Sequence, residues 1–159
     1  MVQAGDAVEE DRAPRLLVIE DHRYLGGLLR DVLPQAGFEV ALVTCTGELA
    51  SALDSFRPDL ILSDFRLRGE DGLDVCRMVR EHPLRAAIPV ILHTAIDPAN
   101  RRLEEALAMP GVTLLLKPAD FEILVAALRD KVAPPRGEPP APTPEPGPLS
   151  RQHPDARRA

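Results

Sequence analysis

The chain has 159 residues, 45% of them apolar but only 3% aromatic, which suits a single domain with a substantial core built from Leu, Val, Ile and Ala. A formal net charge of −6 excludes a nucleic-acid binder that relies on a broad basic surface. Two cysteines, Cys45 and Cys76, with no Cys-x-x-Cys, exclude a disulfide framework and read as reduced, partly buried thiols.

Residues 1–14 are polar and acidic, without the basic start and apolar stretch of a signal peptide; they read as a flexible N-terminal segment. No apolar run exceeds strand length, so the expectation is a cytoplasmic protein with no membrane contact. Residues 15–20 form the first expected strand. Leu25, Leu28, Leu29, Val32 and Leu33 then recur at helical spacing, and Gly37 can close that helix. A second strand covers 38–43. Thr46 is placed to cap a second helix whose stripe is Leu49, Leu53 and Phe56. Residues 59–63 are the third strand, and Asp71-Gly72 opens a helix carrying Leu73, Cys76 and Val79. The fourth strand is 89–93, followed by a short helix over 98–108 with Pro98 in its first turn. The fifth strand is 112–116. Asp120 then caps a last helix with Phe121, Leu124, Val125, Leu128 and Val132 on one face.

Strands 1, 3, 4 and 5 are continuously apolar, as in a parallel sheet covered on both faces. With right-handed crossovers the expectation is an α/β, (βα)5 doubly wound domain over 15–132. From 133 to 159 there are nine prolines in 27 residues, which read as a disordered, partly polyproline II tail without a partner.

In such a sheet, ligands sit beyond the carboxyl ends of the strands. There the sequence puts Glu20-Asp21 after strand 1, Asp64 after strand 3, Thr94 after strand 4 and Lys117-Pro118 after strand 5. Three carboxylates in one shallow pocket repel one another unless a cation intervenes, and oxygen-only ligands favour Mg2+. Asp64 could then attack phosphorus as a carboxylate nucleophile, with Lys117 offsetting charge and Thr94 donating a hydrogen bond. Each residue also has a structural explanation by itself: a helix cap for the acid pair, a turn for Asp64, a cap for Thr94, a solvated charge for Lys117. Their joint placement argues for a site. The histidines His22, His82 and His93 share no metal-ligand spacing, and His22 and the pair Arg101-Arg102 read as solvated.

These residues resemble the receiver domain of two-component response regulators, over about residues 15–132. The acid pair Glu20-Asp21, the segment Ser63-Asp64-Phe65-Arg66-Leu67, Thr94-Ala95 and Lys117-Pro118 carry the resemblance. It implies a flavodoxin-like fold with strand order 2-1-3-4-5. It also implies that Asp64 accepts phosphate from a histidine kinase or histidine phosphotransfer protein, with Thr94 and Lys117 contacting the phosphoryl group. Asp21, Asp64 and the Arg66 backbone carbonyl would bind Mg2+ directly, Glu20 through water, and Arg66 and Ile96 would tune acyl-phosphate lifetime. A cis peptide before Pro118 is also implied.

Leu114 departs from the family, standing where a switch aromatic is usual, and Arg68 stands where Pro is common. Because the tail is too short and Pro-rich for a DNA-binding unit, the expectation is a single-domain, chemotaxis-regulator-like protein with no direct DNA binding. It would signal to an unknown downstream protein by phosphorylation-dependent contact or phosphorelay, and beyond self-phosphorylation and autodephosphorylation it would not be an enzyme. The alternative is a phosphorylation-independent pseudo-receiver that keeps the fold as an interaction module. A phosphohydrolase fits less well, because Asp64-Phe65-Arg66 lacks a second acid two residues on.

Overall fold

The computed structural model describes residues 12–132. Five parallel strands form one sheet: β1 (Arg15–Ile19), β2 (Glu39–Val43), β3 (Leu60–Ser63), β4 (Val90–Thr94) and β5 (Val112–Leu116), in the order β2-β1-β3-β4-β5. Register runs through Leu17↔Ala41, Leu17↔Ile61, Ile61↔Val90 and Val90↔Val112. Five helices cover it: α1 (Arg23–Val32), α2 (Leu49–Ser55), α3 (Gly72–Glu81), α4 (Arg101–Leu107) and α5 (Phe121–Val132). This is the flavodoxin-like (βα)5 fold expected from the sequence.

Strand alternation divides the core in two. Leu17, Ile19, Ile61, Val90 and Leu92 point to the face covered by α2, α3 and α4, where they meet Leu49, Leu53, Leu73, Cys76, Val79 and Leu103. Their neighbours Leu16, Val18, Leu60, Leu62 and Ile91 meet Leu29 of α1 and Leu124, Val125 and Leu128 of α5. Each fully buried Leu or Ile contributes about 1.5–3 kcal/mol by leaving water, which is how a core with so few aromatics holds.

Several local expectations change. α1 passes into a 3-10 turn, Leu33–Ala36, closed by Gly37 at φ 93°. Thr46 does not cap a helix; it is buried in a 3-10 turn, Thr46–Glu48, that precedes α2. α4 starts at Arg101 rather than Pro98, because the Asn100 side chain accepts from the Arg102 and Leu103 N–H groups and is the stronger cap. Phe121 and Leu116 are exposed and β5 is a half-covered edge, although its sequence is as apolar as a central strand. Cys45 is exposed, and only Cys76 is buried, where burial pushes its thiol up to about 11. Residues 66–71 form a small antiparallel hairpin, pairing Arg66 with Asp71 and Leu67 with Glu70. Of the N-terminal segment, residues 1–11 lie outside the described residues, as does the Pro-rich stretch 133–159. Arg12 is bonded to Asp59 through both guanidinium nitrogens at 3.0 Å.

α3 begins very close to the sheet. A Cβ on Gly72 would sit 2.7 Å from Phe65 and 2.9 Å from Leu92. Only glycine lets its N–H reach the Phe65 carbonyl at 2.8 Å. That contact holds the segment just after Asp64.

Candidate phosphoryl-transfer site

Three of the site residues are the first residues after a strand and remain in the hydrogen-bond ladder. The Asp64 N–H donates to the Ile19 carbonyl (3.0 Å), the Glu20 N–H to Val43 (3.1 Å) and the Lys117 N–H to Thr94 (2.9 Å). The sheet therefore sets their positions, and they gather beside the point where strand order reverses between β1 and β3.

Lys117 reaches across this edge. Its Nζ lies 3.2 Å from Asp64 Oδ2 and 3.5 Å from Glu20 Oε2, so one ammonium is shared by two carboxylates. Asp64 Oδ1 accepts the Arg66 N–H at 3.1 Å. The carboxylates differ in access: 16% of the Asp64 side chain is exposed against 4% for Glu20. Glu20 accepts the His22 N–H at 3.0 Å. Burial nevertheless raises its pKa, with the His22 N–H and Lys117 pulling the other way. Asp21 stands nearer the rim, its Oδ2 accepting the Arg68 N–H at 3.1 Å with the Arg68 guanidinium 3.8 Å away. Thr94 is buried, and its Oγ1 accepts the Ile96 N–H at 3.2 Å. Asp64, Arg66, Thr94, Ala95, Ile96 and Lys117 line a cleft of about 210 Å³, room for a phosphoryl group and its waters. The peptide between Lys117 and Pro118 is cis.

Among the described residues no three acidic, His or Cys side chains converge into a ready-made metal cluster. The acids instead divide among Lys117, Arg68 and backbone N–H groups. The donor chemistry still fits a hard divalent cation: two carboxylates share Lys117 and a third meets the exposed Arg68, and the remaining negative charge and oxygen-only donors are what such an ion requires.

Three side chains have roles that the sequence pattern does not show. His22 is not merely solvated: its Nδ1 accepts the Leu25 N–H at 3.3 Å and caps α1. Arg102 is bound by Asp71 and Asp74 rather than solvated. His93 is buried on the α1 and α5 side of β4, its Nε2 without a hydrogen-bond partner, and burial, helped by Lys117, lowers its pKa to about 4. Alternation could have located His93, since it lies two residues after the inward-facing Ile91.

Residues 16–129 match the family model of the response regulator receiver domain. The chain belongs to that family. This receiver domain is 32% identical over 116 residues to the phosphate regulon transcriptional regulatory protein PhoB of Rhizobium meliloti, covering 73% of this chain and 51% of that protein. It thus spans about half the length of that relative. A putative response regulator from Chloroflexus aurantiacus superposes with a TM-score of 0.67 at 28% identity, covering 77% of this chain and all of the other. The receiver domain of a sensor histidine kinase from Pseudomonas aeruginosa gives 0.66 at 25% identity over 76% of this chain and 98% of its own; that structure has a magnesium ion coordinated in its active-site cleft.

Proposed function

We propose that this receiver domain accepts a phosphoryl group on Asp64 from a histidine kinase or histidine phosphotransfer protein and signals by phosphorylation-dependent protein contact or by phosphorelay. The observation that carries the reading is the accessible Asp64 carboxylate, held 3.2 Å from the Lys117 ammonium in a cleft that also contains the Thr94 hydroxyl. An Asp64 oxygen attacks phosphorus. The bond from phosphorus to the donor nitrogen breaks, and the leaving imidazole keeps the electron pair and takes up a proton. Lys117 offsets charge on the phosphoryl oxygens, and Thr94, which lines the same cleft, can donate its O–H to one of them while its oxygen still accepts the Ile96 N–H. Asp21, Asp64 and the Arg66 carbonyl would hold Mg2+, with Glu20 behind them. That ion supplies charge neutralisation for two anions brought together. Self-phosphorylation and autodephosphorylation would be its only chemistry, in the cytoplasm, with no direct contact to DNA or membrane by this domain. No helix among the described residues is long and apolar enough to cross a membrane.

Leu114 favours a second reading, a pseudo-receiver that binds partners without phosphorylation. Its side chain packs against the core cluster under α4, in place of a rotating aromatic. Intact-mass analysis after incubation with Mg2+ and acetyl phosphate decides between the two. The expected result is one phosphoryl adduct on the wild type and none on Asp64→Asn. Folded, magnesium-binding protein that gains no phosphoryl group from acetyl phosphate or from a panel of kinases would establish the pseudo-receiver.

A further inference from the structure

Two loops close the cleft, and one side chain ties them together. The first loop is the hairpin 66–71, which leaves Asp64 and turns at Gly69 (φ 79°). It returns to Asp71, the N-cap of α3, whose carboxylate accepts the Leu73 and Asp74 N–H groups. The second loop runs from Thr94 to α4 and is stitched by local bonds. Ile96 N–H donates to Thr94 Oγ1 (3.2 Å), Ala99 N–H to Asp97 Oδ1 (2.9 Å) and Asn100 N–H to the Asp97 carbonyl (2.9 Å). Asn100 in turn caps α4. A displacement at Thr94 is therefore passed to the start of α4.

Arg102, in the first turn of α4, crosses to the other loop. Its guanidinium pairs with Asp71 through two nitrogens and also reaches Asp74 Oδ1 at 3.2 Å. Two consecutive arginines in a first helical turn oppose the helix dipole. The carboxylates of Asp71 and Asp74 compensate for that placement, and their partnership with Arg102 holds the Asp71 carboxyl below its usual pKa, although desolvation works against it. Further along the same helices Arg77 meets Glu105 at 3.4 Å, but that pair touches neither loop.

We propose that Arg102 is a positioning residue that couples the phosphoryl state of Asp64 to α4, its pairing with Asp71 holding the unphosphorylated arrangement of the two loops. The proposal rests on the reading of Asp64 as phosphoacceptor. The Thr94 oxygen can keep accepting the Ile96 N–H while its O–H donates to a phosphoryl oxygen, so a shift of Thr94 toward that oxygen carries Ile96 with it and moves the second loop against the first. Coupling is reciprocal: whatever the phosphoryl group costs the Arg102–Asp71 pair, the pair costs the phosphoryl group. With a partly buried Leu114 where the family usually carries a switch aromatic, this tie gives the chain its own route from Asp64 to a helix surface.

The test compares wild type, Arg102→Gln and Arg102→Lys, each shown to melt cooperatively. Initial phosphorylation rate with Mg2+ and acetyl phosphate is read by intact mass, and hydrogen exchange is followed over 95–107. Arg102→Gln is expected to phosphorylate about threefold faster or more and to exchange faster in α4, the size expected for a partly exposed ion-pair network. Arg102→Lys, which keeps the charge and loses the two-pronged geometry, should fall between. Raising salt should narrow the difference in rate between wild type and Arg102→Gln, because it screens the pair that only the wild type has. An unchanged or slower rate in Arg102→Gln, with α4 exchange unaltered, overturns the coupling alone. A wild type that takes up no phosphoryl group overturns it together with the reading of Asp64.

Discussion

The two ends of the sheet use similar residues to opposite effect. At the amino end the charged and polar bonding is closed. Arg12 and the Arg15 N–H share Asp59, and the Arg15 guanidinium takes Glu39, the Phe56 carbonyl and the face of the Phe56 ring. Arg80 binds the carbonyls of Ala86, Ile88 and Pro110. At the carboxyl end bonding is incomplete. Three carboxylates compete for Lys117, Arg68 and a few N–H groups, while His93 Nε2 has no partner. A surplus of like charge costs stability, and it is what an incoming cation can satisfy.

The largest stability effect should come from acid. His93 is neutral in the fold, with a pKa near 4 against 6.5 for the free side chain. Between those values the unfolded chain binds a proton that the native chain refuses, so stability is lost as pH falls from 6.5 and the loss is complete near 4. The loss amounts to about 3 kcal/mol. His93→Leu should abolish that share of the acid sensitivity, seen as a urea midpoint that falls less between pH 7.5 and 4.5 than that of the wild type. Equal pH dependence in both proteins would show that His93 is not a weak point of this end. At the closed end, Arg80→Met leaves the carbonyls of Ala86, Ile88 and Pro110 to find water. It should cost about 2 kcal/mol in urea melts while phosphorylation by acetyl phosphate stays at the wild-type rate. A changed rate would mean that the two ends are not separate.

Much of this contrast was legible in the sequence, for a definite reason. A strand buried on both faces is a continuous apolar run, so its end is sharp, and Glu20, Asp64, Thr94 and Lys117 fall at those ends. Sheet topology then does the rest. Less legible was anything decided by competition between nearby groups. Pro98 suits a first helical turn, yet the Asp97 side chain takes the Ala99 N–H and the Asn100 side chain takes those of Arg102 and Leu103, delaying α4. Phe121 fits the apolar stripe of α5, but it sits in the first turn, close to the loop that leaves β5, and remains exposed. The Arg102–Asp71 pair spans 31 residues, so no local pattern could reveal it; the capping signature Asp71-Gly72-Leu73-Asp74 was the available clue.

The smallest effect is also the one that most directly joins stability to function. Glu20 is buried, and its folded pKa is raised above 4.5. The native state therefore binds more protons than the unfolded state just above that pH, and stability falls as pH rises through the folded value. At neutral pH its ionised form is a cost that Lys117, shared with Asp64, only partly offsets. Glu20→Gln keeps an oxygen for the His22 N–H and removes the charge, so without metal it should raise Tm at pH 7.5 by a few degrees. Adding Mg2+ should reverse the order, because a ligand stabilises the native state in proportion to its affinity and the wild type carries the extra carboxylate. Thermal melts of both proteins across a magnesium titration measure the crossing. If Glu20→Gln is the less stable protein even without metal, the carboxyl end is not charge-strained. If the curves never cross, Glu20 takes no part in holding the cation.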